Sequence, residues 1–158
     1  MKKKLTLKNI GIALVLILII SQFFRIDKTN ATFDNNNDFI AMNKPSEEVA
    51  TILKTSCYDC HSNTTVYPWY TNIAPVSWWI KDHVNEGSHH LNFSIWGTYK
   101  TKKQDHKLEE CVGEVEEGEM PLSSYTLMHG NATLSKEQQK LLADWFNSIR
   151  THESDEKE

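Results

Sequence analysis

The stretch SEEVATILKTSCYDCH, residues 46–61, decides how the rest of the chain is read. Ser46 followed by Glu47 and Glu48 predicts a helix start: a serine oxygen accepts from a free backbone N–H, and carboxylates are favoured at the positive helix end. Val49, Ile52, Leu53 and Ser56 then share one face. That helix runs into Cys57-Tyr58-Asp59-Cys60-His61, a C-x-x-C-H run in a chain with only one other cysteine, Cys111. The spacing is the attachment signature of c-type haem, in which two thiols add to the two vinyl groups and the adjacent imidazole reaches the iron. Cys57 and Cys60 are accordingly read as the attachment points of one covalent haem c, with His61 as proximal iron ligand. Two lesser readings use the same residues. A zinc site requires four ligands, and only Cys111 and scattered histidines remain to complete it. A thioredoxin-type dithiol normally follows a strand, whereas this pair follows a helix and ends in histidine.

Between about 45 and 150 the apolar residues recur at helical spacing with no strand-like alternation, which predicts an all-α, small cytochrome c-like domain. Pro75 suits the first position of a second helix, with Val76, Trp79, Ile80, His83 and Val84 inward and Gly87 closing it. A third helix is expected over 103–117, with Leu108, Cys111, Val112 and Val115 inward and Gly118 as its stop. Cys111 there reads as a small buried residue. Ser135-Lys136-Glu137-Gln138 forms a capping box for a fourth helix carrying Leu141, Leu142, Trp145, Phe146 and Ile149 on one stripe. Repeats and glycine-rich phosphate loops are absent.

Lys2, Lys3, Lys4 and Lys8 precede the uncharged run Ile10 to Phe24, a membrane-targeting pattern. The residues around 21–25 are too bulky for signal cleavage, so 1–25 is expected to be an uncleaved anchor, with the N-terminus cytoplasmic and the domain in the periplasm. Residues 26–44 read as a polar, Asn-rich tether, 45–150 as the haem-binding domain and 151–158 as a disordered tail. From residue 29 onward the cationic and acidic side chains number 11 and 20, a net charge of −9. Such a surface repels nucleic acid and suits a basic redox partner.

A haem iron in an electron carrier takes a second protein ligand, and a thioether raises its potential. Met120, in Gly118-Glu119-Met120-Pro121-Leu122, is the leading candidate. His83 and His129 are the main alternatives, with His89, His90 and His106 behind them. An open distal site would instead favour a peroxidase-like enzyme or a gas sensor. With Met120 as ligand the expected function is one-electron transfer without catalytic turnover. Tyr67, Trp69, Tyr70, Trp78, Trp79, Trp96 and Tyr99 fall close together, as a large flat ligand would require.

The blocks Cys57 to Asn63, Val66-Tyr67-Pro68-Trp69-Tyr70, Ile73 to Trp79, His83-Val84, Gly87, Leu91-Asn92-Phe93-Ser94 with Trp96, Gly118 to Leu122, and Tyr125 to His129 resemble the bacterial haem-binding domain family of Bacteroidetes envelope proteins. The resemblance covers about residues 40 to 150. It implies one covalently bound haem on an exported, usually membrane-tethered domain. The order of parts is also similar to a class I cytochrome c, a likeness of architecture that does not establish function.

Overall fold

The computed structural model describes residues 6–151, and within them the regular structure is entirely helical. Helix α1 spans Leu7–Ser21. It is apolar on every side, yet the only residue it buries is Ser21, at its C-terminal end. Its 15 residues rise about 22 Å, short of the roughly 30 Å hydrocarbon core of a bilayer. Among the described residues no helix is long and apolar enough to cross a membrane. The expected 1–25 anchor is therefore not supported as a spanning helix: the segment holds this shorter helix, and residues 1–5 lie outside the described residues.

The expected tether, 26–44, requires correction. Asp34 caps a 3-10 turn over Asn35–Asn37, and Asp38 caps α2, Phe39–Asn43, by accepting from the backbone N–H groups of Ile40 and Ala41. Phe39 is fully buried, stacked on Phe93 at 4.7 Å and edge-on to Trp96 at 4.7 Å. Composition marks this segment as a linker because two phenylalanines scattered among asparagines leave no periodic signal. Its caps are what fold it onto the domain.

Helix α3, Glu47–Ser56, begins as expected, with Ser46 Oγ accepting from Val49 N–H, and buries Val49, Ile52, Leu53 and Ser56. The short α4, Tyr58–His61, follows at once. Helix α5 spans Val76–His90, so Gly87 is inside it and His89 and His90 occupy its last turn. The buried face also differs in phase from expectation. Ser77 and Val84 are buried, while Val76 and Trp79 are 43% and 50% exposed. Small residues let this helix approach α4, and its bulky rings are turned outward.

Helix α6, Thr101–Glu117, buries Leu108 and Val115, with Cys111 and Val112 half-buried against the core. Gly118 ends it at φ 78°, a left-handed conformation that costs glycine least. After the single turn α7, Ser123–Thr126, helix α8 spans Lys136–Ser148 and opens with the Ser135/Gln138 capping box. It buries Leu142, Ala143 and Phe146 and packs along α6. Trp145 sits against the core, 5.5 Å from the Phe39 ring. Of the expected tail, residues 152–158 lie outside the described residues.

Candidate functional site

Cys57 interrupts the helical path at φ −125°, ψ −42°, and the chain resumes as α4 with Cys57 O accepting from Cys60 N–H at 3.2 Å and His61 N–H at 2.9 Å. Cys57, Cys60 and His61 thus lie within one turn. Both cysteines are free and half-buried. Burial pushes the Cys57 thiol up to about 12, with Cys60 adding to the effect, and the Cys60 thiol up to about 11, with Asp59 adding. Neither has the depressed pKa of a disulfide-exchange nucleophile. Burial likewise raises the pKa of Cys111. Among the described residues no group of three or more His, Cys, Asp or Glu side chains is placed to hold a metal ion, as the zinc reading would need.

The imidazole of His61 is fixed from α5. Its Nδ1 lies 2.9 Å from Gly87 O and 3.2 Å from Leu91 O. Carbonyl oxygens only accept, so the ring proton belongs on Nδ1 and the lone pair on Nε2, which has no hydrogen-bond partner among the described residues. Burial holds the His61 pKa below the usual histidine value, against the opposing pull of the two carbonyls. A neutral imidazole with one nitrogen tied to backbone oxygen is the usual state of a metal-ligating histidine.

Gly87 is required by this contact. A Cβ there would stand 2.9 Å from Cys60 O and 3.1 Å from Cys60 Cβ. The residue expected to end the second helix instead lets that helix lie against the cysteine turn. Residues 91–94 close the other side: Ser94 Oγ accepts from Asn63 N–H at 3.0 Å, and Asn92 Nδ2 donates to Asn63 Oδ1 at 2.8 Å. Behind them, Phe93 stacks on Tyr58 at 5.3 Å and meets the His61 ring edge-on at 6.3 Å.

A family comparison now bears on these residues: the haem-binding domain model matches residues 16–148. The chain belongs to the haem-binding domain family. Comparison with curated proteins and with solved structures returned no match. The chain is thus a haem-binding protein with an all-helical fold, and the donor set fits the group. Two neutral thiols within one turn and an imidazole with its Nε2 lone pair free are what the C-x-x-C-H chemistry uses.

The haem-binding domain also ties its Met120 segment to this turn. Met120 is half-buried past Gly118, and its N–H donates to Glu114 O at 3.1 Å. Five residues on, Tyr125 Oη donates to Asp59 Oδ2 at 2.8 Å, inside the C-x-x-C-H run, and approaches Thr55 O at 3.2 Å. Asp59 Oδ1 accepts from Val66 N–H at 3.0 Å. Asp59 is therefore a hub joining the cysteine turn to two later segments. The motif treats that position as free, so no spacing rule could have singled it out.

The alternative distal ligands differ in how far their ring nitrogens are engaged. His129 has both ring nitrogens engaged, Nδ1 with Tyr125 O at 3.1 Å and Nε2 with Tyr70 Oη at 3.2 Å, and its ring stacks on Tyr125 at 4.2 Å. His83, expected to point inward, is on the partly exposed side of α5 with Nδ1 2.8 Å from Trp79 O. His106 pairs on the surface with Glu109 and Glu110. The aromatic run does not form one pocket: Trp96 is buried, whereas Trp69, Trp78 and Trp79 are exposed. Of two surface clefts, a cavity of about 240 Å³ lies between residues 22–28 and 71–77, and one of about 460 Å³ runs along Phe33, Asp38, Tyr58 and Val66. Neither is lined by Cys60, His61 or Met120.

Proposed function

We propose that this chain is a membrane-anchored, single-haem c-type cytochrome that passes one electron at the periplasmic face. The observation that carries the reading is the orientation of His61, whose Nδ1–H is spent on Gly87 O and Leu91 O while Nε2 is left to bind iron. Cys57 and Cys60 would hold the group by thioethers, and Met120 would be the distal ligand. When bound, haem c supplies a one-electron iron couple whose potential follows ligand identity, burial and hydrogen bonding. The residues of this chain hold the imidazole neutral and immobile, which keeps reorganisation small. Tyr125, through Asp59, limits how far the Met120 segment can move from the attachment turn.

Anchoring is supported by α1, whose side chains are apolar on every side and largely exposed, and by Phe23 and Phe24, which are 82% and 64% exposed just beyond it. An interfacial helix carries a polar face, and this one has none. The acidic balance after residue 29 suits a basic redox partner, with association slowing as salt rises.

The test is haem staining of the full chain on a denaturing gel after expression with haem-attachment machinery. Stain should persist in the wild type and vanish in Cys57→Ala/Cys60→Ala. A stainless wild type would end the covalent reading. With stain retained, Met120→Ala should abolish the methionine-to-iron charge-transfer band. Rapid carbon monoxide binding by the reduced wild type would transfer the reading to an open-site enzyme or sensor.

A further inference from the structure

The aromatic run that fails to form a pocket gathers instead around the base of α1. Gln22, just past that helix, clamps Ala74 twice: its Nε2 donates to Ala74 O at 3.0 Å and its Oε1 accepts from Ala74 N–H at 3.1 Å. Trp78 Nε1 donates to Phe24 O at 2.8 Å. The exit of α1 is therefore fixed against the start of α5, and there Ile73, Val76, Trp78 and Trp79 are each between 41% and 50% exposed. Four large apolar side chains within seven residues, left in water beside an exposed apolar helix, require a cover.

We infer that Ile73, Val76, Trp78 and Trp79 lie in the headgroup layer of the bilayer that receives α1, seating the domain against the membrane in one orientation. The inference rests on the reading of α1 as a membrane segment. Tryptophan favours that layer because its ring is apolar and its N–H is polar, and the Trp78 N–H is already satisfied by Phe24 O. Charge on the rim agrees. In a domain that is acidic after residue 29, this edge carries exposed Arg25, Lys28 bonded to Asn72 Oδ1 at 2.8 Å, and Lys81 bonded to Tyr67 Oη at 3.2 Å. Their stems can lie along the rings while the cations reach lipid phosphate. Asp27 is also on this edge, its pKa lowered chiefly by the Thr29 backbone N–H and less by Lys81, and Asp82 and Glu86 are exposed further along α5. The consequence for the site is mechanical: α5 carries the membrane-facing rings at its start and the two carbonyl clamps of His61 in its last turn and just past its end, so seating the rings sets how the haem-bearing turn is presented.

Full-length protein reconstituted in phosphatidylethanolamine/phosphatidylglycerol vesicles, with a trace phospholipid bearing a photoreactive diazirine near the glycerol, tests this. Flotation reports the α1 reading, and mass spectrometry maps the lipid adducts. Adducts on the 69–81 segment should exceed those on Leu127 and Met128, which are 82% and 56% exposed, several-fold. The Trp78→Asp/Trp79→Asp variant should lose the 69–81 adducts while still floating. Protein that does not float removes the α1 reading and this inference with it. Protein that floats with adducts confined to 6–24, or spread equally onto 127–128, overturns the inference and leaves the anchor standing.

Discussion

Helices α1 and α2 stand on either side of an Asn-rich stretch and invert what their compositions suggest. Fifteen residues of α1, most of them Leu, Ile, Val or Ala, bury only Ser21. Five residues of α2, flanked by Asp38 and Lys44, place Phe39 at 0% exposure. Apolar character gives a side chain a reason to leave water, but the folded chain rewards it only where partners already stand. Phe39 has Phe93, Trp96, Trp145 and Phe146 within 6.2 Å of its ring. Ile17 stays 60% exposed.

The strongest way to break that contrast is Phe39→Ala. Truncating a fully buried phenylalanine costs about 3–5 kcal/mol, and the surrounding aromatic rings have little freedom to collapse into the space. Urea unfolding in detergent should show a large fall in midpoint with an unchanged slope. A midpoint close to wild type would return 26–44 to the status of a linker.

The next contrast is between two glycines inside helices. Gly87 faces Cys60 at a distance no Cβ tolerates, whereas a Cβ at Gly113 would meet nothing within 4 Å. Gly87→Ala should destabilise by about 1–3 kcal/mol, since overpacking outweighs the gain in helix propensity. Because α5 must retreat, the carbonyl clamps on His61 should loosen and the yield of haem-stained protein should fall. Gly113→Ala should do the reverse, stabilising by about 0.5–1 kcal/mol through propensity alone and leaving haem yield unchanged. Equal effects at the two positions would mean that α5 does not lie on the cysteine turn as described.

Those glycines also mark how far the sequence could be read. Helices announced by caps and periodicity were legible: Ser46 and Ser135 fixed two starts, and Gly118 fixed one end. That Cys57, Cys60 and His61 lie within one turn was legible because C-x-x-C-H is local in the chain. What holds that set was not. Gly87 O and Leu91 O are backbone atoms some thirty residues away, and a carbonyl acceptor leaves no trace in residue type. Gly87 suggested a helix end because chain termination and close approach both select glycine, and only the neighbour distinguishes them. The phase of α5 was misread for a related reason. Trp79 and His83 were assigned inward by size and periodicity, but the interface is built on small residues, Ser77 and Gly87, that a hydrophobic stripe does not register.

The smallest expected effect is the most informative about α1. Ile17→Ser exchanges a β-branched apolar residue for one of similar helix propensity at a position that is 60% exposed. If α1 belonged to the core, this buried-polar substitution would cost well over 1 kcal/mol. Because it does not, unfolding of the domain in detergent should move by less than about 0.5 kcal/mol, the range of an ordinary surface change. The same variant should float less completely with vesicles, since a hydroxyl near the middle of an apolar helix is disfavoured in hydrocarbon. A domain that loses stability while flotation is unchanged would reverse the assignment, making α1 a packing element.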